Sequence, residues 1–169
     1  SSVSIRTVGD RTEFLANVGG DRLKARLLRS KTGQGQDHSD LMLYFHGFDF
    51  MPLFSIWMGK DILPMNEIRA TGDLELIGVL DDWRTMKGSG TIVDLNLGLR
   101  NNPMKNEKSI QLTIADGALE VERFRLSGTE GQVSMDLSYR VEKEIKAKLD
   151  GKMDLQFLQP FIPGLEYGT

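Results

Sequence analysis

Residues 133–149 read VSMDLSYRVEKEIKAKL, and this stretch decides the fold. One phase holds Val133, Met135, Leu137, Tyr139, Val141, Ile145, Ala147 and Leu149, with Lys143 as its polar exception. The other phase holds Ser134, Asp136, Ser138, Arg140, Glu142, Glu144, Lys146 and Lys148. Successive side chains of a strand point to opposite faces, so the pattern makes one oily face and one wet face. A helical stripe repeats about every 3.6 residues and does not accommodate it. The stretch also exceeds the roughly 3–10 residues of an ordinary strand. It is therefore either one unusually long strand or a hairpin turning near Glu142–Glu144.

The same alternation recurs through the chain. Val3 and Ile5 open it, and Leu23, Ala25 and Leu27 follow the turn signal Gly19-Gly20-Asp21. Leu41, Leu43 and Phe45 come next, then Leu74 and Leu76 after Gly72, then Val93, Leu95, Leu97 and Leu99. Ile110, Leu112 and Ile114 run into Asp116-Gly117, a strong hairpin turn, from which Leu119 and Val121 return. Phe124 and Leu126 are out of phase with those two, which predicts a bulge near Glu122–Arg123. Residues 31–40 and 101–108 read as polar loops, and glycines mark many of the element boundaries. These signals predict a mainly β chain, an antiparallel meander of roughly ten strands with local connections.

Two segments depart from the pattern. Phe50, Leu53, Phe54 and Trp57 have helical spacing, with Asp49 at the N-cap, Pro52 in the first turn and Gly59 after the end. A helical plug is expected over 48–63, and a second short helix over 154–163, where Asp154 precedes an apolar run closed by Pro163-Gly164. The two segments echo each other: strand, Gly, Asp, apolar residues, Leu. Gly72-Asp73-Leu74-Glu75-Leu76 and Gly117-Ala118-Leu119-Glu120-Val121 form a weaker echo. Such repetition suggests units that bury a shared face by stacking.

The 169 residues suffice for one domain with a core. A net charge of −3 and the lack of a basic stripe give no reason to expect nucleic acid. Arg22, Lys24, Arg26 and Arg29 are interleaved with Leu23, Ala25 and Leu27, and read as the solvated face of a strand. With no cysteine there is no disulfide, thiolate chemistry or cysteine zinc site. No apolar run reaches the about 18 residues of a membrane-spanning helix. No signal peptide is recognisable, and the chain reads as a piece of something longer.

No catalytic constellation assembles from these residues. The strand Leu41–Phe45 followed by His46-Gly47 resembles the oxyanion loop of α/β-hydrolases, but no Gly-x-Ser-x-Gly elbow exists and no histidine follows His46. His46 reads instead as a strand-end residue. His38 and His46 do not form a metal-ligand motif, and Asp81-Asp82 lacks the rest of a calcium loop. Gly33-Gln34-Gly35 and Gly88-Ser89-Gly90 do not continue into a phosphate-binding pattern. The expectation is a protein that is not an enzyme and holds no cofactor or metal.

From Gly72 onward the text carries a family resemblance. Gly72-x-Leu74-x-Leu76-x-Gly78-x-Leu80-x-Asp82-Trp83, then Gly88-x-Gly90-x-Ile92-x-x-Leu95-x-Leu97, resembles the repeating text of the TamB/AsmA-like family. So does the later order of Asp116-Gly117, Leu119, Phe124, Leu126, Gly128, the long alternation, and the closing Gly151-x-x-Asp154-Leu155-x-x-Leu158. The resemblance implies a long curved β-sheet folded into an open apolar groove, taco-like in section. It implies a periplasmic location in a double-membrane bacterium, with the full protein anchored in the inner membrane by a part of the chain not present here. It implies lipid transport in outer-membrane biogenesis, the groove carrying phospholipid acyl chains. It also implies a translocation and assembly module, with an Omp85-type outer-membrane barrel as partner.

The groove lining expected from this reading is Leu95, Leu97, Leu112, Leu119, Val121, Met135, Leu137, Tyr139, Ile145 and Leu149. Alternation alone equally fits a closed sandwich; the resemblance moves the expectation to the groove. A different class of function stays open: a strand-binding scaffold or chaperone for outer-membrane β-barrel proteins, acting by β-augmentation. A structural spacer is the third reading.

Overall fold

The computed structural model describes residues 1–31, 37–58, 65–79, 82–99, 103–129, 131–140 and 144–152. Among them the chain forms eleven strands and one helix. The first strands are β1 (Ser2–Val8), β2 (Arg11–Val18), β3 (Leu23–Lys31) and β4 (Asp37–Asp49). Helix α1 (Met51–Met58) leads to the long strands β5 (Met65–Val79) and β6 (Asp82–Leu99). Then come β7 (Met104–Asn106), β8 (Ile110–Ala115), β9 (Ala118–Gly128), β10 (Gly131–Arg140) and β11 (Glu144–Lys152). All belong to one antiparallel sheet in which consecutive strands are neighbours, except that β7 and β8 share the slot between β6 and β9. The mainly β meander expected from the alternation is what the chain forms.

The deciding stretch is a hairpin and not one long strand. Tyr139 pairs with Ile145, Leu137 with Ala147 and Met135 with Leu149, and the Lys143 exception lies outside the described residues. The Asp116-Gly117 turn is built as expected. Ala115 pairs with Ala118, and both turn residues have positive φ, at 52° and 73°, which a two-residue hairpin of this twist requires.

Several expectations are corrected. Asp37–Asp40 is strand and not loop, and Ser39 is buried in it. Within the second expected loop, Met104–Asn106 forms β7, and Met104 is only 1% exposed. Short polar flanks hid both, because pairing with neighbouring strands outweighs weak local propensity. Gly72, Gly88 and Gly90 lie inside β5 and β6 and mark no boundary. Phe48 and Asp49 of the expected plug belong to β4, and the helix itself spans Met51–Met58. Asp49 caps it, its carboxylate accepting the Met51 N–H at 2.9 Å. Residues 59–63 of the plug and the whole 154–163 segment lie outside the described residues.

The mid-strand glycines have a packing reason. A Cβ at Gly88 would overlap the Glu75 carbonyl oxygen, and one at Gly90 would overlap Leu112 Cδ1. Leu112 and, at 3.0 Å from that imagined Cβ, Leu74 lean into the space that the glycine leaves. A side chain there forces the backbone apart and evicts neighbouring leucines. Gly88→Ala should therefore lower unfolding free energy by about 1–3 kcal/mol. Ser89→Ala, at an exposed position beside it, should stay within about 0.5 kcal/mol. Urea denaturation of both variants checks the difference.

Candidate functional site: an apolar sheet face

Residues directly opposite one another in neighbouring strands share a face. Following the register from strand to strand therefore sorts the whole sheet. One row runs Ile5, Phe14, Leu27, Leu41, Leu76, Gly88, Ile114, Leu119, Tyr139, Ile145. The row beside it runs Val3, Ala16, Ala25, Leu43, Leu74, Gly90, Leu112, Val121, Leu137, Ala147. Every member is apolar or glycine. Ten strands at about 4.8 Å spacing make each row roughly 43 Å long. The opposite face is mainly polar: Ser4, Leu15, Arg26, Met42, Glu75, Ser89, Thr113, Glu120, Ser138 and Lys146 occupy one of its rows, with Leu15 and Met42 as its apolar members.

This places the expected lining residues. Leu112, Leu119 and Val121 sit in the two rows, and Leu137, Tyr139 and Ile145 join them by register. Leu95 and Leu97 lie further along β6, packed with Phe124 against the buried trio Met104, Leu126 and Val133. Met135 pairs with Phe124 and with Leu149 in that second region. Leu95, Leu97, Leu112, Leu119 and Val121 thus share one face in two regions, and the other five are placed beside them by backbone register alone. Val93, which sequence alternation groups with Leu95 and Leu97, is an extra residue in β6 and is 59% exposed.

Sequence reasoning missed the contributions of β2, β4 and β5: Phe14, Leu41, Leu43, Leu74 and Leu76. The alternation of the four leucines was visible and that of Phe14 was not read, but which strands adjoin the later hairpins was hidden for all five. It also grouped Arg29 with Arg22, Lys24 and Arg26. All four are exposed, yet Arg29 lies in the phase of Leu27, opposite Thr12 and Ser39. There it pairs with Asp37. Thr7, Thr12, Arg29 and Ser39 thus form a polar margin beside the apolar rows. Ser39 Oγ is buried and finds no hydrogen-bond partner among the described residues. His46 is exposed and sits within β4, where its backbone N–H donates to the Arg22 carbonyl at 2.8 Å.

Burial along the rows is graded. Val3 and Ile5 expose 72% and 63% at the β1 edge, whereas Leu76 and Ile114 expose 5% and 4% at the centre. Between them Leu41, Leu43, Leu74, Leu112 and Leu119 are half-buried. The central cluster of Leu76, Met86 and Ile114, with Leu41, Leu74 and Leu119 around it, draws only on strands adjacent in the sheet. Apart from α1 against β5, the described elements that touch extensively are sheet neighbours. The helix rests at one end, with Phe50 edge-on to Phe45 and Phe48 at centroid distances of 5.3 and 4.9 Å. Among the described residues no second layer spans the apolar rows.

Comparison with protein-family models, with curated proteins and with solved structures finds no match to this chain. Among the described residues no helix is long and apolar enough to cross a membrane, and no group of three or more His, Asp or Glu is placed to hold a metal ion. What this face can do follows from its chemistry. It offers shape and apolar area with few hydrogen-bonding groups, which suits a hydrocarbon chain.

The face assignment has a direct check. Leu76→Ala should destabilise by about 2–5 kcal/mol through the cavity it leaves. Ile77→Ala, one residue on and 48% exposed on the other face, should change stability by under about 1 kcal/mol. Ser39→Ala should raise stability by about 1 kcal/mol, by removing a buried hydroxyl without a partner. Guanidinium denaturation midpoints with unchanged slopes measure all three.

Proposed function

We propose that this chain is a segment of an apolar β-groove that carries phospholipid acyl chains, as its resemblance to the TamB/AsmA-like family implies. The observation that supports this most directly is the pair of apolar rows crossing ten strands without one charged residue and with the Tyr139 hydroxyl as their one polar group. Apolar surface removed from water contributes about 25 cal/mol per Å². An acyl chain laid on half-buried leucines gains that energy and leaves no buried polar group unpaired. No catalytic group is required, and the reading is of a binding and conducting element, not an enzyme.

In this reading the full protein is periplasmic, held to the inner membrane by another part of the chain. Its groove serves lipid passage to the outer membrane, with or without an Omp85-type barrel as partner in outer-membrane protein assembly. The alternative, a scaffold for outer-membrane β-strands, draws support from β1. All its residues are exposed, and its pairing in the sheet is with β2. A bare edge of this kind accepts an added strand.

Leu43→Arg puts a charge in the middle of one row, between Ala25 and Leu74. Met42→Arg puts the same charge on the polar face, between Arg26 and Glu75. Native mass spectrometry with added phosphatidylethanolamine and phosphatidylglycerol should show lipid adducts on the parent chain and on Met42→Arg. Leu43→Arg should lose them while keeping a β-type circular dichroism spectrum. Equal adducts on both variants, or none on the parent, would overturn the lipid reading. Photocrosslinks from β1 to alternating peptides, with no lipid uptake, would favour the scaffold.

A further inference from the structure

Three strands carry one extra residue each in the middle of the sheet; the β5–β6 pair shifts again near its two ends, at Asn66 and where residues 83–86 face Gly78. In β4, His46 and Gly47 together face Thr71. In β6, Val93 is inserted between Ile92, which pairs with Gly72, and Asp94, which pairs with Thr71. In β9, Glu122 and Arg123 together face Asp136. The register places all three at one level. Thr71 of β5 adjoins the first two, and β6 beyond Ile92 faces the point where β8 ends at Ile110 and β7 takes over at Asn106. Glu107, from the segment joining β7 and β8, donates its N–H to the Arg125 carbonyl, next to the β9 bulge. A line of irregularities therefore crosses the sheet from β4 to β10, while β1–β3 pair without a shift.

Each bulge bends its strand and interrupts the ladder. Side chains take over part of the bonding there. Asn106 Oδ1 accepts the Leu95 N–H at 2.7 Å, and its Nδ2 donates to the Val93 and Lys108 carbonyls at 3.0 and 2.8 Å. Thr71 Oγ1 accepts the Gly47 N–H at 2.9 Å. The two hydrophobic clusters lie on opposite sides of the line and share no residue. Leu76, Met86 and Ile114 anchor one, and Met104, Leu126 and Val133 the other.

We infer that this line is a hinge in the sheet, and that Asn106 is the latch setting the angle between the two regions of the apolar face. Flexing along it leaves both clusters packed and moves only bonds made at the line. Motion of this kind belongs to places where few residues absorb the backbone change. The inference does not depend on what occupies the apolar face.

Hydrogen–deuterium exchange on the whole chain tests it. Amides at 46–47, 71–72, 93–95, 107–109 and 122–124 should exchange faster than those of Leu74–Leu76, Leu112–Ile114 and Leu126. Asn106→Ala should speed exchange along the line by about tenfold, the factor expected for losing one or two net hydrogen bonds, and leave both clusters unchanged. Equal protection along and beside the line would overturn the hinge; equal acceleration everywhere would overturn the latch. A second measurement needs no Asn106 variant. The chain has no cysteine, so spin labels can be placed at exposed Thr113 and Lys105, on either side of the line. A broad or two-peaked distance distribution is expected, and one narrow peak would overturn the hinge.

Discussion

A strand's side chains alternate with a period of two, so one extra residue sends every following side chain to the opposite face. The rest of this structure depends on that constraint. The sheet is wide and presents one apolar side, and its long strands keep to that side only because insertions are matched by phase slips in the sequence. Phe45 and Phe48, Ile92 and Leu95, and Val121 and Phe124 are each three residues apart, with a bulge between them. Without the bulges, Leu95 and Leu97 would face the polar side and the cluster around Met104 would lose two of its walls.

Glycine makes the centre of the same face possible. Gly88 and Gly90 bring bare backbone to the level where Leu74, Leu112 and Ile114 come together over β6. Burial is deepest there and falls away toward β1, although the rows remain apolar to the edge. A closed sandwich would cover such rows with a facing sheet. Here neighbouring side chains of the same sheet supply the cover at the centre, and the flanking leucines stay half-buried. In the function proposed above, a face of that kind receives an apolar guest of no fixed sequence.

Much of the fold was legible in the residues. Alternation announced the strands, Asp116-Gly117 announced its hairpin, and the phase slip before Phe124 announced the bulge at Glu122–Arg123. The parallel slip at Val93 was hidden, because valine is itself apolar and continues the odd-numbered series into Leu95. The one at His46-Gly47 was hidden because the helix signal starting at Asp49 drew the following phenylalanine into a different element. Met104 and Ser39 looked like loop because their strands are short or begin in polar text. Their burial comes from partners on both neighbouring strands, Leu97 and the distant Gly128 for Met104, Arg29 and the distant Gly78 for Ser39.

The residues by themselves determined which side chains share a face within each uninterrupted run of a strand, because backbone geometry sets that period locally, but not where a bulge at Val93 or His46-Gly47 breaks the run. They also determined that the chain is mainly β and that its apolar content lies in one phase. Only the tertiary structure decided which strands adjoin, that the apolar phases join into two unbroken rows, and that three bulges stand at one level. Those facts live in hydrogen-bond register between residues far apart in sequence, and no local pattern carries the offset between one strand and its neighbour.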